Sequence, residues 1–252
     1  GSCYGSTGAR SINPVSGQPY GMDWPLVTVR DWVSAHDRLR VHLDIDEIQF
    51  CIGGSCGGHQ VLEFAYLISD KIKHLGLLVT SARESAWAIA GHEAQRQAML
   101  ADQTLFENNN ESGAGGMRAA RGIALLGYRT IEAYIETQTD LDDVIQDHRA
   151  SSYIRHQGEK LVNRFYAHCY WHLIRTLDTH HLGRGRGGIE KVLQQLKMKA
   201  TIIGIDSDRL IPVPQQILLA ENMPDATLHI LQSPYGHDGF LIETDQINNI
   251  FV

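Results

Sequence analysis

The feature that most constrains the fold is a glycine-rich turn between two apolar segments. The apolar run 48–52 ends abruptly at residues 53–58, Gly-Gly-Ser-Cys-Gly-Gly, and residues 61–67 continue as an apolar segment. A short apolar run, a glycine turn and a second apolar segment predict a strand, a sharp turn and a buried helix. The turn fits the pattern Gly-x-Ser-x-Gly, in which a strained backbone presents the central serine. Small residues on both sides, Gly53 and Gly57, are expected because the chain folds so tightly.

Ser55 at the centre of this turn is a candidate nucleophile. The turn holds its hydroxyl at the carboxyl edge of a sheet, and the following helix directs its positive dipole end towards it. The backbone N–H of Cys56 is the candidate donor to a developing oxyanion. A serine hydroxyl is a poor nucleophile near neutral pH, so this hypothesis requires a histidine base and a carboxylate that orients the base.

Chain order selects the candidate base and acid. In sheets with this turn, the acid follows a late strand and the histidine follows the last strand. Asp206 and Asp208 both follow the apolar run 200–205. Of the 13 histidines, His237 lies in a glycine-containing turn after the last predicted strand, 227–231. The residues alone therefore predict Ser55 and His237 with either aspartate.

The pattern along the chain indicates an α/β protein with a mostly parallel sheet. The apolar runs 75–80, 200–205 and 227–231 are typical of buried parallel strands, and Thr28 with Asp31 predicts the capped start of a helix. The long stretch between the second and third runs has helical periodicity. We therefore expect a core in two parts, 1–82 and 191–252, with residues 83–190 as an inserted helical lid.

Composition favours a small-molecule partner. A formal net charge of -7 argues against nucleic acid and against an anionic membrane surface. No apolar run reaches the length of a membrane span, and no secretory signal is visible, so we expect a cytoplasmic protein. The four cysteines form no Cys-x-x-Cys pair, which argues against a zinc site or a disulfide framework.

Two further motifs have simpler interpretations. His168 and His172 are four residues apart but lack the glutamate of a His-Glu-x-x-His site, so helix packing is favoured over zinc. The segment 183–188, Gly-Arg-Gly-Arg-Gly-Gly, lacks the lysine of a phosphate-binding loop and stands alone in an acidic chain. We interpret it as a hinge between the helical insert and the sheet rather than as an RNA or phosphate site.

Beyond the serine turn, motifs along essentially the whole chain closely resemble the homoserine O-acetyltransferases, which are α/β-hydrolase-fold enzymes of methionine biosynthesis. The matching segments are Gly5-Ser6-Thr7-Gly8, Ser11-Ile12-Asn13-Pro14, Pro19-Tyr20-Gly21, Thr28-Val29-Arg30-Asp31, Gly57-Gly58-His59-Gln60, His92-Glu93-Ala94-Gln95-Arg96-Gln97-Ala98, Ala120-Arg121, Tyr128-Arg129, Ser152-Tyr153, Gln157-Gly158, Arg164-Phe165, Ser207-Asp208 with Pro212, and Gly236-His237-Asp238-Gly239-Phe240-Leu241. The combination is far more specific than any one segment.

This resemblance implies catalytic roles for three residues. Ser55 would be the acyl-accepting nucleophile, His237 the base, and Asp208, rather than Asp206, the orienting acid. The N–H of Cys56 would contribute to the oxyanion site.

The same resemblance implies how an amino-acid substrate is bound. Arg121 would hold the carboxylate, for which a planar two-pronged donor is suited. Asp238 would receive the ammonium group, and Tyr128 would line the same cavity.

The activity that the resemblance implies is acetyl transfer from acetyl-CoA, as co-substrate, to the hydroxyl of L-homoserine through an acyl-serine. No metal and no permanently bound cofactor are expected, and the family suggests a homodimer through the helical insert. The insert would cover Ser55, so that water reaches the acyl-enzyme slowly.

Departures from the family pattern leave alternatives open. Ala9 replaces a proline, Cys56 a methionine or leucine, and Tyr166 an acid. Because the side chain at position 56 can alter the acyl pocket, succinyl-CoA as donor or serine as acceptor remain alternatives, as does an esterase.

The fold that the resemblance implies has several strands before the serine turn, whereas one is predicted here. We therefore expect the amino-terminal strands, with the loop that supplies the second oxyanion donor, to lie outside residues 1–252. A truncated, inactive paralogue that acts as a binding module is the corresponding alternative.

Overall fold

The computed structural model describes residues 3–107 and 109–251. Short 3-10 helices lie at Gly21–Asp23, Gln103–Phe106 and Gly236–Asp238. The remaining elements in chain order are α1 (Val29–His42), β1 (Cys51–Gly54), α2 (Cys56–Leu67), β2 (His74–Leu78), α3 (Ala86–Leu100), α4 (Ala114–Tyr128), α5 (Ile131–Gln138), α6 (Arg149–Val162), α7 (Ala167–Asp178), α8 (Ile189–Leu193), β3 (Lys199–Ile205), α9 (Pro214–Asn222), β4 (Ala226–Leu231), α10 (Gly239–Ile242) and α11 (Thr244–Phe251).

The chain divides into two compact units. The helical unit comprises Gly1–Val27, Ala86–Gly127 and Ile131–Asp178, of which all but residues 1, 2 and 108 are described. The sheet unit comprises Thr28–Ser85, Tyr128–Thr130 and Thr179–Val252. The sheet unit contains all four strands of the described chain and the serine turn.

The sheet has the order β1-β2-β3-β4, and all three strand pairs are parallel. This confirms the predicted α/β class with a parallel sheet. Gly54 pairs with Leu78, Leu78 with Ile203, and Ile205 with Leu231. Parallel pairing brings the carboxyl ends of the strands to one edge, so the segments after β1, β2, β3 and β4 emerge side by side.

Apolar side chains on both faces of the strands explain why the sheet lies between helices. The largest core cluster joins the sheet to α2, α8 and α9, and its fully buried members include Leu62, Leu75, Leu193 and Ile202. A smaller cluster at the carboxyl end of the strands joins β3 and β4 to α11 through Ile247.

Helix α1 begins with the predicted capping box. The Thr28 hydroxyl accepts a hydrogen bond from the Asp31 N–H, and the Asp31 carboxylate accepts one from the Thr28 N–H at 2.7 Å. Near the start of the helix Val29 and Val33 are buried, whereas towards its end Leu39 and Leu43 are more than half exposed.

The glycine-rich segment 183–188 lies within the sheet unit, where Arg186 fixes it by an ion pair. Glu63 on α2 is 2% exposed and binds Arg30 Nε at 3.1 Å and Arg186 Nη1 at 2.7 Å. The Arg30 guanidinium also donates to the carbonyls of His181 and Arg184. The two arginines therefore tie the segment to α1 and α2.

The helical unit has a core of its own, formed by Met99, Leu105, Met117, Ala120, Leu161 and Ala167. His168 and His172 are buried beside it and bond through Nε2 to the carbonyls of Leu105 at 2.7 Å and Gly21 at 3.0 Å. Desolvation lowers the pKa of His168, and that of His172 to about 4. Both imidazoles thus pack as neutral donors to the main chain.

Residues 3–107 and 109–251 contain neither a candidate metal site nor a candidate membrane-spanning helix. No group of three or more histidine, cysteine, aspartate or glutamate side chains is arranged to hold a metal ion. Within the same residues, every helix is too short or too polar to cross a bilayer.

Candidate active site

Ser55 occupies a strained turn between β1 and α2. Its φ of 52° and ψ of −122° lie where a side chain is disfavoured. Hydrogen bonds hold both of its main-chain polar groups: the N–H donates to the Leu78 carbonyl at 2.9 Å. The Ser55 carbonyl accepts from the Gly58 N–H at 2.9 Å and from the Thr80 hydroxyl at 2.8 Å. The surrounding structure therefore fixes a backbone conformation that is unfavourable by itself.

Three glycines of this turn lie too close to their neighbours for a Cβ: Gly53, Gly58, and Gly54, where it would clash with the Phe240 ring. A Cβ on Gly53 would clash with the main chain of Gly57, and a Cβ on Gly58 would clash with the Thr80 side chain. A Cβ on Gly57 would meet no atom within 4 Å. The steric expectation therefore holds at Gly53 and was wrong at Gly57, because the chain passes Thr80 one residue later.

The structure brings Ser55, His237 and Asp208 together by hydrogen bonds. His237 Nε2 is 2.8 Å from the Ser55 hydroxyl oxygen, and His237 Nδ1 is 2.7 Å from Asp208 Oδ2. Asp208 and His237 are 4% and 5% exposed. In this arrangement the carboxylate accepts from Nδ1–H, which leaves Nε2 as the acceptor that faces the hydroxyl.

The geometry decides between Asp206 and Asp208, the two candidate acids that the residues alone did not distinguish. Asp208 Oδ1 accepts the N–H groups of Leu210 and Ile211 at 2.8 and 3.0 Å, which leaves Oδ2 directed at His237. Asp206 Oδ1 instead accepts the Ser233 N–H at 3.1 Å. Asp206 therefore joins the segment after β3 to the segment after β4 and does not contact the imidazole.

Ser207 and Thr130 hold the loop that carries His237, and sequence reasoning missed both of these roles. The Ser207 hydroxyl donates to the Ser233 carbonyl and accepts the Gly236 N–H at 3.1 Å. The Thr130 hydroxyl donates to the Pro234 carbonyl. Gly236 has a φ of 65° and lies so close to residues 128–130 that a side chain there would clash. The sequence marked Ser207 only as part of the matching segment Ser207-Asp208, and no motif marked Thr130.

Cys56 begins α2 immediately after Ser55. The first N–H groups of a helix have no acceptor within the helix, so the Cys56 N–H is placed to bind an anion. Desolvation, with a contribution from the Glu84 carboxylate, raises the pKa of the Cys56 thiol. Since the thiolate is the reactive form, this thiol stays protonated and does not compete with Ser55.

Of the predicted substrate contacts, Tyr128 and Asp238 lie beside His237 in the sheet unit. The Tyr128 ring centroid is 6.2 Å from that of His237. Asp238 Oδ2 is 3.4 Å from Arg129 Nε, a partner that sequence reasoning did not assign. Arg121 is half-buried on α4 and belongs to the helical unit.

The fold and the serine turn define an α/β-hydrolase-fold protein. Residues 1–244 match the family model described as alpha/beta hydrolase fold. A crystal structure of homoserine O-acetyltransferase from Bacillus anthracis has a similar fold, with a TM-score of 0.89 at 17% identity over 95% of this chain and 68% of that chain. The crystal structure of esterase E22 is also similar, with a TM-score of 0.87 at 24% identity over 97% of this chain and 71% of that chain.

Sequence similarity identifies one family among the proteins with the α/β-hydrolase fold. The chain is 40% identical over 250 residues to the homoserine O-acetyltransferase of Cyclobacterium marinum, covering 99% of this chain and 71% of that protein. It is 44% identical over 255 residues to that of Chlorobaculum parvum, again covering 99% and 71%. The chain belongs to the homoserine O-acetyltransferase family.

Proposed function

We propose that this protein transfers an acetyl group from acetyl-CoA to the side-chain hydroxyl of L-homoserine, by way of an acetyl-serine at Ser55. The observation that carries the proposal is the 2.8 Å contact between the Ser55 hydroxyl and His237 Nε2, in a chain of this family. That contact is short enough for direct proton transfer. The relatives' names suggest the acetyl group and the homoserine acceptor for this chain, and acetyl-CoA as donor follows from the resemblance.

The first half-reaction forms the acyl-enzyme. His237 Nε2 takes the proton from Ser55 as the serine oxygen attacks the thioester carbonyl, and the Asp208 carboxylate stabilises the imidazolium. The N–H of Cys56 donates to the oxyanion. When the C–S bond breaks, the coenzyme A thiolate takes the proton from His237, and Ser55 holds the acetyl group.

The second half-reaction repeats these steps with homoserine in place of coenzyme A. His237 removes the proton from the homoserine hydroxyl, whose oxygen attacks the acetyl carbonyl of Ser55. Collapse of the second oxyanion breaks the bond to the serine oxygen, which regains its proton from His237. The products are O-acetylhomoserine and free enzyme.

Substrate recognition in the proposal rests on three side chains. Arg121 binds the carboxylate of homoserine, Asp238 binds the ammonium group, and Tyr128 lines the cavity. Asp238 directly follows His237, so a substrate whose ammonium group binds to Asp238 has its hydroxyl near the base. This location supports the proposed role of Asp238.

The remaining parts of the proposal follow from the chemistry and the resemblance. The acyl group comes from a thioester co-substrate, so the reaction needs no resident cofactor. We place the enzyme in methionine biosynthesis, in the cytoplasm, and as a homodimer. Light scattering of the purified protein tests the last point.

The decisive experiment is intact-protein mass spectrometry after incubation with acetyl-CoA. The wild type should gain the mass of one acetyl group on Ser55, and Ser55→Ala should gain none. Release of coenzyme A should then become catalytic only when L-homoserine is added, with L-serine and succinyl-CoA as comparison substrates. Equal thiol release with and without homoserine would indicate an esterase. Absence of the adduct would indicate a binding module.

A further inference from the structure

A second series of hydrogen bonds joins Ser55 to Asp208, by way of Thr80 and Gln216. We propose that Thr80 and Gln216 are positioning residues that hold the main chain of the serine turn at a fixed distance from the loop that carries the acid. The inference rests on the proposed function, because it assigns these residues a role in the reactivity of Ser55.

Thr80 is the first link in this series. It is completely buried, and its hydroxyl donates to the carbonyl of Ser55 at 2.8 Å. Leu78, two residues earlier, accepts the N–H of Ser55. The short segment 78–80 therefore holds both main-chain polar groups of the serine.

The segment 78–80 is itself strained. Val79 is buried and has a φ of 41°, a region that a β-branched residue rarely occupies. Its N–H donates to the Ile203 carbonyl at 2.7 Å, which anchors it to β3. This backbone reversal directs the Thr80 side chain back to the serine turn. Strain that the surrounding structure maintains in this way is typical of functional sites.

Gln216 is the second link. It lies on α9, is completely buried, and donates through Nε2 to the carbonyls of Thr80 at 2.9 Å and Ile211 at 3.3 Å. The N–H of Ile211 donates in turn to Asp208 Oδ1. One side-chain amide thus bridges the segment after β2, which holds Ser55, and the loop after β3, which holds Asp208.

These contacts complete a closed ring of hydrogen bonds, the circuit, because Asp208 bonds to His237 and His237 bonds to the Ser55 hydroxyl. The circuit fixes the nucleophile relative to the base on the backbone side as well as on the side-chain side. Catalytic groups must be held closely, since a displacement of about 1 Å can cost ~100-fold in rate.

The hydrogen-bonding state of Gln216 indicates that packing alone does not explain this residue. Its Oε1 is buried, and no residue within 3–107 and 109–251 donates a hydrogen bond to it. An unpaired buried oxygen is unfavourable for folding. The two hydrogen bonds that the amide donates to the catalytic segments therefore account for a polar side chain at this buried position.

The test measures acetylation of Ser55 in a single turnover at saturating acetyl-CoA, in the full chain. Thr80→Val and Gln216→Met, which keep shape and remove the donor, should lower the rate constant by ~10- to 100-fold. The acetyl-CoA concentration for half-maximal rate should change by less than about threefold, because the variants act on the chemical step. Thr80→Ser, which keeps the hydroxyl, should retain most of the rate.

Thr201→Val is the matched control. Thr201 is 5% exposed on β3 of the same unit, and its hydroxyl bonds to His74 at 2.8 Å, outside the circuit. This variant should acetylate at the wild-type rate. Thermal unfolding of every variant shows which of them remain folded at the assay temperature. If Gln216→Met does not fold, the comparison of Thr80→Val with Thr80→Ser decides the question.

A second acyl donor separates this inference from the proposed function. p-Nitrophenyl acetate acetylates a reactive serine and releases p-nitrophenolate, without recognition of coenzyme A. A wild type that reacts with the ester but not with acetyl-CoA contradicts the proposed function and still tests the circuit. Folded Thr80→Val and Gln216→Met variants that match the wild type with either donor overturn the inference, as does a wild type that reacts with neither.

Discussion

Asp238 faces Arg129 in the sheet unit, with Oδ2 of the carboxylate 3.4 Å from Nε of the guanidinium. Both side chains are about a quarter exposed, so solvent screens the pair and the carboxylate stays accessible. The pair orients the Asp238 carboxylate directly after His237. A substrate ammonium group at Asp238 would then complete a row of alternating charges.

Asp238→Asn should impair the second half-reaction only. Loss of the ionic partner for the substrate ammonium group should lower kcat/KM for homoserine by ~10- to 100-fold. The rate of Ser55 acetylation by acetyl-CoA should stay within about threefold of the wild type. Steady-state and single-turnover kinetics separate the two steps.

The exposed Asp245 on α11 provides the control for this prediction, Asp245→Asn. Equal effects on both steps would argue against a contact with the acceptor.

Asp208→Asn and Asp206→Asn should differ strongly in activity. At position 208 the N–H groups of Leu210 and Ile211 hold the amide oxygen, so the amide NH2 faces Nδ1 and donates to it. The histidine then carries its proton on Nε2, the wrong tautomer for a base, and kcat should fall by ~10⁴-fold. At position 206 the amide keeps an oxygen for the Ser233 N–H, and the loss should stay below about tenfold. Turnover of acetyl-CoA with homoserine measures both variants. Similar losses in the two would contradict the assignment of Asp208.

Gly57→Ala and Gly58→Ala should have opposite effects on stability. Space is open at Gly57, so alanine in the first turn of α2 should be neutral or stabilising by up to ~1 kcal/mol. At Gly58 the added methyl group clashes with Thr80, which should destabilise the fold by ~1–3 kcal/mol. Urea unfolding reports both free energies. A stable Gly58→Ala variant would show that the Thr80 side chain can move away.

Glu63→Gln should be strongly destabilising. The carboxylate is buried between Arg30 and Arg186, and its neutralisation leaves two guanidinium groups without their anionic partner. A loss of ~3 kcal/mol is expected from broken buried ion pairs, reduced to the extent that Arg30 reaches solvent. Glu190→Gln on α8 changes an exposed glutamate beside the same segment and should alter the free energy of unfolding by less than about 0.5 kcal/mol.

Stability should decrease as the pH falls below about 6.5. Desolvation lowers the pKa of His172 to about 4 and that of His180 to about 3, from 6.5 in the unfolded chain. Between these values the unfolded state binds more protons than the native state, so each histidine contributes up to ~1.4 kcal/mol per pH unit to the slope. Urea unfolding between pH 4 and 7 measures this slope. His172→Gln keeps a donor for the Gly21 carbonyl and should reduce the slope; an unchanged slope would contradict the prediction.

The sequence predicted the sheet unit well because local signals determine it. Four apolar runs gave the four strands to within a few residues, and the capping box marked the start of α1. The serine turn and the histidine after the last strand identified Ser55 and His237. Their catalytic roles remain predictions, although the two side chains lie within hydrogen-bonding distance.

Long-range contacts could not be predicted in the same way. The residues alone did not distinguish Asp206 from Asp208, because the distinction depends on which carboxylate the N–H groups of Leu210 and Ile211 orient. The contribution of Gln216 depends on two carbonyls that are distant in sequence, and no local motif marks it. The exposure of Leu39 on α1 could not be predicted either, because an apolar residue on a helix does not show what covers it.

Strands β2 and β3 are neighbours in the sheet although residues 79–198 separate them in the chain. The entropy of closing a loop grows only with the logarithm of its length, and doubling such a length costs about 0.6 kcal/mol. The sheet thus places almost no thermodynamic limit on how long the intervening stretch becomes. The helices between β2 and β3 are therefore free to lengthen or shorten during evolution while the strand order stays the same.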